Sequence, residues 1–68
     1  MNGNIEHPFQ IWCCNRELYE RGEDMGLSKA FATPKPAVKF YEEQIVLHCG
    51  KVAFEFRHYK NPNDYVTF

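Results

Sequence analysis

Gln44-Ile45-Val46-Leu47-His48-Cys49-Gly50-Lys51-Val52-Ala53-Phe54-Glu55-Phe56-Arg57-His58-Tyr59 is the stretch around which the rest of the chain arranges itself. Gly50-Lys51 separates two strand-like runs and supplies the Gly-X pair of a type II′ hairpin turn. With those two residues in the loop, Cys49 opposes Val52, Leu47 opposes Phe54 and Ile45 opposes Phe56, so six apolar side chains share one face. The other face pairs Gln44 with Arg57, Val46 with Glu55, His48 with Ala53 and Glu42 with Tyr59. A slip of one residue would mix the two sets, so turn chemistry and burial together predict an antiparallel hairpin over 44–59.

Upstream of the hairpin, Ala37 to Tyr41 fits either a strand or a helical turn starting after Pro36 and is read as a strand, and Thr33-Pro34-Lys35-Pro36 reads as an extended connector, because each proline pushes its predecessor out of the helical region. Asn15 is a good N-cap for a helix beginning Arg16-Glu17-Leu18-Tyr19, with acidic residues in its first turns. Residues 16–31 read as mainly helical in one of two versions: a short helix ending near Gly22, a turn and a further helical turn from Leu27 to Phe31, or one continuous helix, favoured by the small-residue stripe of Gly22, Gly26 and Ala30 at i, i+4 and i+8. Before it, Phe9 to Cys14 alternates Phe9, Ile11, Cys13 with Gln10, Trp12, Cys14 and reads as a strand. Trp12 would be a binding anchor if exposed, but is expected to pack beneath the following helix, because so small a domain has few large apolar residues to spare. Lys60-Asn61-Pro62-Asn63 is a turn by composition, and Asp64 to Phe68 a closing edge strand. Residues 1–7 read as a frayed start. The fold predicted is a small single α+β domain, an antiparallel β-meander of three to five strands with one mainly helical segment on one face.

A chain of 68 residues buries only about 60% of its unfolded surface, so its core is compact or shared with a partner. The formal charge is −1, with 8 basic and 9 acidic residues, and neither half of the chain is charged enough to make nucleic acid the default partner. Three cysteines, two of them adjacent, and no basic-then-apolar leader predict reduced thiols and a cytoplasmic setting rather than a disulfide framework. No apolar run approaches the roughly 18 residues a membrane helix needs, so no membrane partner is expected.

Cys13, Cys14, His48 and Cys49 have the right chemistry for zinc, but neighbours on a strand point to opposite faces and the C-x-x-C spacing is absent. No metal or other cofactor is expected. Cys14 with His48 would make a thiol and its base, yet nothing supplies an orienting third group or an oxyanion site, and so short a chain has little room for a cleft. An enzyme is not expected. Lys51 to Tyr59 alternates aromatic and basic residues as the RNP1 strand of RNA-binding domains does, without the glycine of that motif and with Phe54 and Phe56 turned to the core.

By elimination and by shape, the sequence points to a protein-binding module that acts by steric occlusion of a protein or nucleoprotein target. Arg57, Tyr59, Tyr65 and Phe68 are the expected anchors, with Glu55 and Glu42 at the rim. Phages and other mobile elements encode inhibitors of this size against a host protein or defence complex, anti-CRISPR proteins among them, and such a chain would work in the host cytoplasm. One alternative is a single-stranded nucleic-acid binder using the outer face of the hairpin, through Lys51, Arg57, Tyr59 and Lys60. Another is a structural homodimer joined through residues 64–68, since a short apolar edge strand templates another strand.

Overall fold

The computed structural model describes residues 6–68, so most of the stretch expected to fray, residues 1–5, lies outside the described residues. The chain is α+β, with a four-stranded antiparallel sheet in the order β2-β1-β3-β4 and one main helix, α2. The elements are β1 (Phe9–Asn15), α1 (Arg16–Glu20), β2 (Gly26–Phe31), α2 (Pro34–His48), β3 (Val52–Asn61) and β4 (Asp64–Thr67).

The hairpin predicted over 44–59 does not form. Residues 44–48 are the last turns of α2, and β3 pairs with β1 instead, setting Ile11 opposite Phe56 and Cys13 opposite Phe54. Gly50 is where the two readings meet, because a helix stop needs the same positive φ that a hairpin turn does. Cys49 closes α2 in the left-handed region (φ 48°), its N–H donating to Ile45 O at 3.2 Å, and Gly50 follows at φ 83°. Lys51 N–H then donates to His48 O at 2.9 Å, which satisfies another carbonyl of the last turn.

Residues 37–41 are likewise helical rather than a strand, and Pro34 and Pro36 open the helix rather than rigidify a connector. First-turn N–H groups have no acceptor within a helix, so proline loses nothing there and its fixed φ is already helical. Ala37, Phe40, Tyr41, Gln44 and His48 recur at helical spacing and turn toward the sheet. Ala37 is fully buried, and Phe40 and Tyr41 pack on the core formed with Ile11 and Phe56.

Of the two versions read over 16–31, the helical turn expected over 27–31 is a strand instead, while the short helix ending near Gly22 forms. Asn15 caps it as expected, its Oδ1 accepting from Glu17 N–H at 2.9 Å. It ends where Gly22 takes φ 91° and donates to Tyr19 O, after which Gly26 to Phe31 pairs with β1. A bulge between Ile11 and Trp12 keeps Phe31 beside Phe40 while Leu27 lies opposite Trp12. The β3–β4 turn forms as read, Asn61 Oδ1 accepting from Asn63 N–H at 3.0 Å, and β4 is one edge of the sheet. Among the described residues, no helix is long and apolar enough to cross a membrane.

Candidate functional site

Strand alternation divides the sheet into two chemically distinct faces. Phe9, Ile11, Phe31, Phe54 and Phe56 point to α2 and make the core. Gln10, Trp12, Glu55, Arg57, Tyr59 and Tyr65 point the other way. The other helix among the described residues, α1, packs on β1 and β3 and makes no contact with α2. The smallest dimension spanned by the described residues is 16 Å, room for one sheet and one helix, so among them no second layer covers this face beyond α1.

Arg57 is the centre of that open face. The Arg57 guanidinium lies between two rings, 4.5 Å from the centroid of Trp12 and 4.3 Å from that of Tyr65. Its Nε donates to Glu55 Oε1 in an ion pair, and its Nη1 donates to Tyr59 Oη at 2.9 Å. Burial pulls the Arg57 pKa down, but the hydrogen bonds to Glu55 and Tyr59 and their coulombic attraction outweigh it, leaving the group above its ordinary value and charged. Tyr59 also packs on Tyr65, its cross-strand partner, with centroids 4.8 Å apart. Trp12 Nε1 donates to Gln10 Oε1 at 2.8 Å, which fixes the indole on its strand. Beside this cluster runs a shallow groove of about 350 Å³ lined by Gln10, Trp12, Leu27, Tyr59 and Pro62.

Of the six residues expected at a partner surface, Glu55, Arg57, Tyr59 and Tyr65 come together here, on β3 and β4. Glu42 does not join them, since it lies on α2 beyond the opposite side of the sheet. Phe68 does not either: it follows β4 on the helix side, its ring 4.5 Å from that of Phe56, and is 68% exposed. Trp12 is the member that the sequence reading misplaced. Instead of packing beneath a helix, it completes the cage around Arg57. Its alternation with Phe9, Ile11 and Cys13 was the available signal, because those three fill the core and leave Trp12 to the other face.

The thiol–imidazole pair does not assemble. Cys14 faces the open side opposite Ala53, whereas His48 lies on α2 with its ring 5.6 Å from that of Phe54, so the sheet separates them. Among the described residues, no three His, Cys, Asp or Glu side chains are grouped to hold a metal ion. Compared with known proteins, the chain matches no family model, no curated protein and no solved structure.

Proposed function

We propose that this chain is a small, non-enzymatic protein-binding module that inhibits or regulates its target by covering a surface, and that the open face of the sheet is what it binds with. The observation that carries this reading is the Trp12–Arg57–Tyr65 stack with Tyr59 and Glu55 around it. Trp, Tyr and Arg dominate the binding energy of protein interfaces because they bury much area for little lost rotamer freedom. Here they are already locked by stacking and hydrogen bonds before any partner arrives, which lowers the ordering cost of association. A flat platform of this kind suits occlusion of a surface better than turnover of a substrate. A phage-type inhibitor of a host protein or nucleoprotein complex is the setting we propose for such an occluding platform.

A second reading has its own support, since aromatic rings on an open antiparallel sheet also stack nucleobases. It is weaker, because the Trp12 and Tyr65 rings already share the Arg57 cation and Glu55 neutralises that cation. One experiment separates the two. The purified protein and its Trp12→Ala and Arg57→Ala variants serve as baits in lysate, with and without nuclease. Capture of a defined protein or assembly that survives nuclease and drops at least about tenfold with either variant supports the protein-binding reading. Trp12 is the only tryptophan in the chain, so quenching of its emission by oligothymidine, steeply lost with salt, would favour the nucleic-acid reading instead.

A further inference from the structure

The outward side of α2 carries the most exposed aliphatic side chains among the described residues, Val46 at 76% and Leu47 at 68%. It also carries charges in an order its own helix does not favour. A helix is stabilised by acidic residues near its start and basic ones near its end. Here Lys35 and Lys39 occupy the first half and Glu42 and Glu43 the second, the first turn has no acidic residue, and the basic residue of the last turn, His48, packs on Phe54 of the sheet rather than lying on this side. Nor does Lys39 pair with Glu43 one turn on, the less favourable order for such a pair, since the one ion pair among the described residues is Arg57–Glu55.

Both oddities resolve if the helix is read as half of a pair. Pro36, Lys39, Glu43 and Val46 are all exposed and spaced three, four and three residues apart, the spacing of a helix–helix seam. That spacing is palindromic about residue 41. A second α2 running antiparallel across the first, with a two-fold axis level with Tyr41, sets Lys39 against the Glu43 of the other copy and Pro36 against its Val46. Each contact occurs twice. Leu47 then meets the aliphatic stem of Lys35, and the two helix dipoles oppose head to tail.

We infer that α2 is a self-association surface whose occupant is a second copy of this chain, held by reciprocal Lys39–Glu43 pairs and Pro36–Val46 contacts. A seam this short forms a weak dimer, half-assembled at roughly tens to hundreds of micromolar. It leaves the open face of the sheet free, so it stands or fails apart from the binding proposed there.

The test is sedimentation equilibrium of the wild type and of Lys39→Glu and Glu43→Lys, over about 5 µM to about 1 mM, with far-UV circular dichroism to show each folded. Each variant places like charges across the seam twice and is expected to weaken self-association at least about tenfold. Mixed in equal amounts, one variant offers two glutamates and the other two lysines, so both cross-pairs are restored and the mixed dimer should recover wild-type affinity. Val46→Asp removes the apolar contact and should give a folded monomer. A wild type that is monomeric throughout overturns the inference. So does a dimer indifferent to these substitutions, or a mixture no tighter than its components, since either result places the contact on another surface.

Discussion

Arg57 is held within its own chain: two rings lie against its guanidinium, and Glu55 and Tyr59 take hydrogen bonds from its Nε and Nη1. Only a planar, delocalised cation can do both at once. Arg57→Lys keeps the charge but offers a point donor on a flexible stem, which cannot stack broadly on Trp12 and still reach both oxygens. The expected loss is about 1–2 kcal/mol of folding stability by urea titration. Trp12 emission should shift to the red as water reaches the indole. A folded-state pKa raised above the ordinary arginine value contributes stability that is fully present below that value and lost only as pH rises through the raised one. The Arg57 contribution therefore holds through the neutral and mildly alkaline range. A wild-type stability that drops between pH 7 and pH 10 in step with the loss of the red-edge difference between wild type and Arg57→Lys would contradict this.

The element that decides the topology is α2, and its end is testable by the sign of one substitution. Cys49 sits at φ 48°, where any side chain is strained relative to glycine. Cys49→Gly should raise stability by about 0.5–1 kcal/mol in denaturant, less whatever the weak Sγ–H bond to Val46 O supplies. Were residue 49 in an extended strand, the same change would lower stability, because glycine weakens a strand interior. The ambiguity was physical. Ile45, Leu47 and Cys49 alternate as a strand does, and Gly50 is as suited to a helix stop as to a hairpin, while Ala37, Phe40, Tyr41, Gln44 and His48 carry the helical period that burial chose. The Gly22–Gly26–Ala30 stripe misled for a related reason: Gly22 ends α1 and Gly26 begins β2, so the spacing spans two elements. By contrast β1, the Asn15 cap, the strand from Val52 and the turn at Asn61 were legible, since each rests on local chemistry that no long-range contact overrides. Of the open face, Glu55, Arg57, Tyr59 and Tyr65 were readable from the alternation of β3 and the position of β4. Trp12 joined them only through the β1–β3 pairing, which the predicted hairpin had displaced.

At the scale of the whole molecule, the margin is narrow. Ile11, Ala37 and Phe56 are the buried centre of the helix-side core, with five partly buried aromatics around them. For 68 residues the total stability is on the order of 3–10 kcal/mol. Phe56 is buried in this core, its ring 5.7 Å from that of Tyr41, with Phe68 4.5 Å away at the margin. Truncating such a ring costs about 3–5 kcal/mol, comparable with the entire margin. Phe56→Ala should therefore lose its cooperative thermal transition and its dispersed amide spectrum at 25 °C, while Phe56→Leu stays folded with a lowered Tm. The surface substitutions at Lys39, Glu43 and Val46 remove no core volume and leave this margin largely intact, whereas Arg57→Lys takes about 1–2 kcal/mol out of it. A Phe56→Ala chain that melts within a few degrees of wild type would mean that the sheet and α2 are held by something other than this core, and the two-layer account of the fold would have to be replaced.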